Sequence, residues 1–185
     1  MLTQLHNLRT LDCWTLFTLD HRAPNESALL IRVLDSNPAI EDFTCVSTVD
    51  TDTVQALANL PLRRLLLMSG YIDSDKFARL PFDTLEELIL SGSNTLTNLE
   101  PLQGSHLRVL HLHCQENLGD TQVIGSMPNL EELDLCYCRL TDEQAEPLLQ
   151  LAQRLRQLQL IGNPRLSAEM SQRLKAAFGD KVSLD

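Results

Sequence analysis

The stretch LEELDLCYCRL at residues 130–140 places leucines at its first, fourth, sixth and eleventh positions, and this pattern recurs along the chain. The L-x-x-L-x-L core is repeated in LRRLLL, LEELIL, LRVLHL and LRQLQL, which begin at residues 62, 85, 107 and 155. Two weaker copies, LRTLDC and IEDFTC, begin at residues 8 and 40. The seven starts are separated by 32, 22, 23, 22, 23 and 25 residues. Self-similarity at such a period indicates a repeat architecture.

Within each copy the fourth and sixth positions alternate with variable residues, which is typical of a short strand with one buried face. A single strand of this length cannot bury that face usefully, whereas stacked copies bury a continuous column of leucines. The sequence therefore predicts that five leucines lie side by side in neighbouring parallel strands: Leu65, Leu88, Leu110, Leu133 and Leu158.

The third residue after the core is Cys138 in the copy at 130 and Asn163 in the copy at 155. With these residues the chain resembles the leucine-rich repeat family, whose signature is L-x-x-L-x-L-x-x-(N/C)-x-L with a period of about 20–29 residues. Four copies depart from the signature at this position and carry Thr48, Gly70, Ser93 and Gln115. A buried side chain here would satisfy backbone groups that are left unpaired where the chain turns off the strand.

The resemblance implies an α/β fold, namely a right-handed leucine-rich-repeat solenoid (a horseshoe). Its parallel β-sheet would line the concave face, with short helices and turns on the convex face. We predict a single domain over residues 1–185, with repeats that start near 8, 40, 62, 85, 107, 130 and 155. Related modules serve as enzyme inhibitors, as adaptors that select substrates for larger machines, or as bacterial effectors and immunity proteins. We therefore expect a non-catalytic module that binds a protein partner, as an adaptor or as an inhibitory or effector-type subunit.

The segments between the predicted strands differ in their helical signals. Apolar residues at helical spacing follow Asp50, and Thr141 precedes Gln144 in a capping-box pattern, with Pro147 expected to kink that helix or mark its start. A capping helix is predicted at about 167–178, with Ser167 as its N-cap. Segments 91–104 and 115–128 are too short and too broken by Gly and Pro for long helices.

The amino-acid composition argues against two classes of binding partner. The 185-residue chain contains 39 leucines and only 8 aromatic residues, and its formal net charge is −10. Nucleic-acid and anionic-membrane binding are disfavoured, because both need clustered cations. The N-terminal sequence lacks a signal-peptide pattern, and the number of cysteines is odd (five), so we expect reduced thiols in a cytoplasmic protein.

Variable residues of the repeats define the expected concave surface. Alternate strand positions are nearly uniform leucine on the buried side and differ between repeats on the other, as expected for a recognition surface. An apolar patch is predicted there, made of Val46, Leu66, Met68 and Ile89, with Arg64 and Glu87 beside it. Glu87, Glu132 and Asp134 would make the middle of the face acidic and attract a basic partner patch. The predicted protein-binding residues are Val46, Arg64, Leu66, Met68, Glu87, Ile89, Val109, His111, His113, Glu132 and Asp134.

Two alternatives remain open. The register would bring His111 beside Asp134 and His113 beside Cys136, a set that could bind zinc or form a Cys–His nucleophile pair. We nevertheless expect no enzyme, cofactor or metal, because an open face lacks the enclosure that catalytic groups need. Alternatively, the chain is a structural unit that docks end-on through Leu2, Leu5 and Leu8, which look like the last turn of a missing repeat.

Overall fold

The computed structural model describes residues 6–13, 26–46, 49–68, 72–92, 96–115 and 117–184. These residues form one eight-stranded sheet in which each strand pairs in parallel with the next one along the chain. This arrangement confirms the predicted α/β class and parallel sheet. The strands are β1 (Thr10–Cys13), β2 (Asp42–Cys45), β3 (Arg64–Met68), β4 (Glu87–Ser91), β5 (Val109–His113), β6 (Glu132–Asp134), β7 (Gln157–Gln159) and β8 (Val182–Ser183).

The predicted register of the leucine column is confirmed. Leu65 pairs with Leu88, Leu88 with Leu110, Leu110 with Leu133, and Leu133 with Leu158. Each of the five side chains is at most 1% exposed. Buried apolar side chains of the described residues form one cluster from Leu11 to Phe178. The assignment of residues 1–185 to a single domain stays a prediction.

Short helices connect the strands. They are α1 (Glu26–Asp35), α2 (Thr51–Ala58), α3 (Ser74–Phe77), α4 (Gln122–Ser126), α5 (Asp142–Ala145) and α6 (Ala168–Phe178), with 3₁₀ turns at Glu100–Leu102, Glu146–Leu151 and Gly179–Lys181. The predicted capping box of Thr141 and Gln144 is present at α5, and Pro147 falls in the 3₁₀ turn that continues it. Ser167 caps α6, as predicted, and its side chain accepts a hydrogen bond from the Met170 N–H.

The position after the strand core satisfies backbone groups, as the repeat pattern predicts. Asn163 is buried, and its Oδ1 accepts hydrogen bonds from the backbone N–H groups of Cys138 (3.1 Å) and Leu140 (3.0 Å). Its Nδ2 donates to the carbonyls of Leu135 (2.9 Å) and Leu160 (2.7 Å). Asn163 thus fastens the last full repeat to the preceding one.

Neighbouring repeats fill the same position with other donors. The Cys138 thiol donates to the Leu112 carbonyl at 2.8 Å, and Nε2 of Gln115 donates to the His113 carbonyl at 2.8 Å. Both side chains are buried. The sequence departs from the family signature at Gln115, yet the chain turn is still hydrogen-bonded there, because an amide side chain supplies a suitable donor.

The chain leaves four strands through a left-handed backbone conformation at the same repeat position. The φ angles are 137° at Gly92, 59° at Cys114, 58° at Tyr137 and 73° at Gly162. At Gly162 a Cβ atom would lie only 2.4 Å from the Tyr137 ring, so this close contact requires glycine there, whereas Cys114 and Tyr137 adopt the same turn with a side chain.

Candidate functional site

One face of the sheet is sealed by the leucine core and the other is partly open. In β3, β4 and β5, buried residues alternate with residues that are half-buried or exposed. We call the second side the open face; in the described strands it carries the third and fifth positions of each repeat, and in β3–β5 also the seventh. Residues at the same repeat position are partners in neighbouring strands. The third positions are Thr10, Asp42, Arg64, Glu87, Val109, Glu132 and Gln157, and the fifth positions are Asp12, Thr44, Leu66, Ile89, His111, Asp134 and Gln159.

A partly exposed apolar patch occupies the open face of the central strands. Leu66 and Ile89 are paired residues of β3 and β4, with Met68 two residues beyond Leu66. Val109 lies on the next strand, and all four side chains are half-buried. Val46, also half-buried, follows the last residue of β2. Four of the five predicted apolar residues therefore lie within three consecutive strands.

The open face is less acidic than the sequence predicts. Glu87 forms an ion pair with Arg64, with 2.9 Å between Oε1 and Nε, so the two charges offset each other. Asp134 is only 5% exposed and lies against His113. The third predicted acidic residue, Glu132, is half-buried and is the strand partner of Val109. A basic partner would therefore meet a weaker negative field than the sequence indicates.

Two histidines of β5 and an aspartate of β6 form a compact cluster on the open face. His111 and His113 alternate with a buried residue of β5, so that both rings lie on the open face and stack at 5.8 Å between centroids with an interplanar angle of 13°. Asp134 pairs with His111 in the register, and its Oδ2 lies 2.9 Å from Nε2 of His113. One ligand atom from each of the three residues lies within 4.8 Å of the others.

Asp134 is held by the backbone as well as by histidine. Its Oδ1 accepts a hydrogen bond from the N–H of Cys136 at 2.9 Å. Burial alone would raise the pKa of Asp134, but the His113 imidazole close to its Oδ2 and the hydrogen bonds with Cys136 outweigh burial and lower this pKa below its ordinary value. Burial lowers the pKa of His111, against the opposing effect of the Asp134 charge. At neutral pH the cluster therefore combines a carboxylate with an uncharged imidazole at His111.

The structure does not bring the Cys136 thiol into the ligand cluster. Among the described residues, the cluster consists of His111, His113 and Asp134, and Cys136 contributes its backbone N–H instead. Its side chain is buried, and burial together with the Asp134 carboxylate raises the pKa of the Cys136 thiol to about 12. All five cysteines lie in the described ranges, and none is part of a disulfide bond.

A ladder of alternating charges runs along the strand-entry edge of the sheet, and sequence reasoning missed it. Arg63 forms an ion pair with Glu86 at 2.8 Å, and Glu131 forms ion pairs with both Arg108 (2.8 Å) and Arg156 (3.1 Å). Arg9 and Glu41 form a further pair at the first two strands. The signal was available, because the second residue of each copy alternates in sign: Arg9, Glu41, Arg63, Glu86, Arg108, Glu131 and Arg156. The seven residues are four arginines and three glutamates, so their formal charges sum to +1, whereas the whole chain carries a net charge of −10.

The predicted end-on docking surface lies mostly outside the described residues, which exclude Leu2 and Leu5. Leu8 is half-buried and packs against the core, and its backbone N–H donates to Oδ1 of Asn37 at 3.0 Å. Leu8 thus contributes to the packing of the first described repeat.

Comparisons add no assignment for this chain. No protein-family model matches the sequence. No curated protein shows a significant match to it either. Within the described ranges, none of the helices combines the length and the apolar character that crossing a bilayer demands.

Proposed function

We propose that the chain is a right-handed leucine-rich-repeat solenoid whose concave, open face binds a protein partner, as an adaptor or as an inhibitory or effector-type subunit. The proposal rests on one observation: the buried column is uniform leucine, whereas the columns of the open face change from strand to strand. Packing alone accounts for the leucines, but it does not require the variation on the other side.

The repeat geometry supports the family part of the proposal. Consecutive strands pair with consecutive partners in one register, and Asn163 and Cys138 bond the backbone of the preceding repeat from the signature position. A right-handed connection is what parallel neighbouring strands favour in general. The short helices and turns between strands fit the convex side of such a solenoid.

The partner chemistry follows from the apolar patch and its neighbours. Leu66, Met68, Ile89 and Val109 offer aliphatic surface, while the Arg64–Glu87 pair beside them is half-exposed. An apolar centre with a polar surround is the usual anatomy of a binding surface. We therefore propose a partner that presents an aliphatic or aromatic anchor, with a basic group directed at Glu132.

The proposal assigns no catalytic role. A cysteine nucleophile acts as its thiolate, and a pKa of about 12 leaves Cys136 protonated at neutral pH. We also propose a cytoplasmic location, as expected from the odd number of cysteines.

The test replaces the centre of the apolar patch by charge. We expect Leu66→Glu/Ile89→Glu to abolish capture of the partner that the wild-type chain retains in a pulldown from its native cell, with a circular dichroism spectrum that is unchanged. The matched control is Ala176→Glu/Ala177→Glu, which adds the same charge at exposed positions of α6. The captured protein is then purified and its binding to each variant measured by calorimetry.

Binding that survives Leu66→Glu/Ile89→Glu, or that is lost equally in the α6 control, would contradict recognition through the open face. Loss of binding caused by Leu5→Glu alone, with the patch variant still active, would instead support end-on docking.

A further inference from the structure

We propose that His111, His113 and Asp134 form a binding site for one divalent transition-metal ion of the zinc class on the open face of the sheet. His111, His113 and Asp134 are among the residues predicted to bind a protein partner, but metal binding needs no partner and is tested independently of Leu66 and Ile89. Three of the four residues that the sequence singled out are the ligands. The fourth, Cys136, is not a ligand, but its backbone N–H holds the Asp134 carboxylate.

The strand geometry supplies three converging ligands. Residues two apart on a strand face the same side, which brings both imidazoles of β5 to the open face. The neighbouring strand adds the Asp134 carboxylate in register with His111. The candidate ligand atoms lie within 4.8 Å of one another, and Nε2 of His113 is 2.9 Å from Oδ2 of Asp134. Ligands of a tetrahedral zinc ion, at bond lengths of about 2.0–2.2 Å, are separated by roughly 3.3 Å. To close the site, the most distant ligand atoms would approach each other by up to about 1.5 Å.

The carboxylate is already oriented for such a role. The Cys136 N–H holds Oδ1 of Asp134 at 2.9 Å, which leaves Oδ2 directed at His113. Metal-binding carboxylates are commonly held by a hydrogen bond of this kind, which raises affinity by fixing the side chain. Nε2 of His113 is itself shielded from solvent.

The local charges favour a cation over a neutral ligand. The carboxylate of Asp134 lies next to His111, and the carboxylate of Glu132 adds a second negative charge nearby. Two imidazoles and a carboxylate form a donor set that suits Zn²⁺, Co²⁺, Ni²⁺ and Cu²⁺ better than Ca²⁺ or Mg²⁺, which prefer oxygen ligands throughout. Three protein ligands leave at least one coordination position open, on the partly exposed side of the sheet.

Zinc titration of the purified chain tests the proposal. Calorimetry and competition against a chromophoric chelator should give one Zn²⁺ per chain, and Co²⁺ should produce visible absorption bands on binding. We expect His111→Gln and His113→Gln each to weaken binding at least about 10-fold. The matched control is His106→Gln, an exposed histidine just before β5, and it should bind as the wild type does.

Cys136→Ala keeps the N–H that holds Asp134 and removes the thiol, so it should weaken binding much less than His111→Gln or His113→Gln does. The proposal is overturned if Zn²⁺ does not bind, if His111→Gln and His113→Gln bind it normally, or if His106→Gln loses binding equally. A large loss in Cys136→Ala would also overturn the three-residue set. Unchanged circular dichroism spectra of the variants exclude misfolding as the cause of a loss.

Discussion

Replacement of Asn163 by alanine tests the hydrogen bonds that link consecutive repeats. The buried amide makes four bonds, two accepted from the N–H groups of Cys138 and Leu140 and two donated to the carbonyls of Leu135 and Leu160. A hydrogen bond of this type contributes about 1 kcal/mol net, and a buried group left without a partner costs about 1–3 kcal/mol. Asn163→Ala should therefore lower the free energy of unfolding by about 4 kcal/mol.

Urea unfolding followed by circular dichroism measures this loss, with the m-value checked for a change in the unfolding transition. Asn163→Cys should fall between alanine and wild type, because a thiol at the equivalent position of the preceding repeat, Cys138, donates to the Leu112 carbonyl. The control is Asn129→Ala, at an exposed position, which should change stability by less than about 0.5 kcal/mol. A loss of under about 1 kcal/mol for Asn163→Ala, at an unchanged m-value, would refute the reasoning that this side chain holds the turn.

Three further predictions concern the core, a close contact and pH. Leu110→Ala, at the fully buried centre of the leucine column, should cost about 2–5 kcal/mol in urea unfolding; a smaller loss would mean that the column is loosely packed. Gly119→Ala places a Cβ atom 2.3 Å from the Thr97 carbonyl oxygen and should cost about 1–3 kcal/mol, whereas Gly104→Ala, which meets no atom within 4 Å, provides a control limited to backbone strain. Because the pKa of Asp134 is lowered in the fold, its contribution to stability is present above its ordinary pKa of 3.8 and is lost as the pH falls through the lower folded value. Melting temperatures measured from pH 6 to pH 2 should show this loss in the wild type and a smaller one in Asp134→Asn.

Much of the strand architecture was predictable from the repeat. In the five copies from residue 62 onward, leucine at the fourth and sixth positions sets which residues face the core, and a parallel partner at every 22–25 residues then sets the register. Leu88 and Leu133 therefore lie where the pattern predicts. The starts of two helices were predictable for similar local reasons, since Thr141 and Ser167 are capping residues, and Pro147 lies where α5 gives way to a 3₁₀ turn.

The candidate site was predictable only as columns of residues. Strand alternation brings His111 and His113 to the same face, and register puts Asp134 next to His111. Which histidine nitrogen contacts which carboxylate oxygen depends on the side-chain rotamers, and residue spacing does not determine them. The Asp134 carboxylate contacts His113, although its strand partner is His111. Spacing alone would place Cys136 beside His113, but its backbone N–H donates a hydrogen bond to the Asp134 carboxylate.

By itself, the sequence determined the period, the buried leucine column, the parallel sheet and the identity of the residues on the open face, because these depend on the order of apolar and polar residues. Only the tertiary structure decided how charges and hydrogen bonds are distributed on that face. Arg64 offsets Glu87, Asp134 is buried among its partners, and an alternating ladder from Arg9 to Arg156 follows the strand-entry edge. The ion pairs among them join residues 21 to 32 positions apart, so they form only once the repeats are stacked and the side chains have adopted their rotamers.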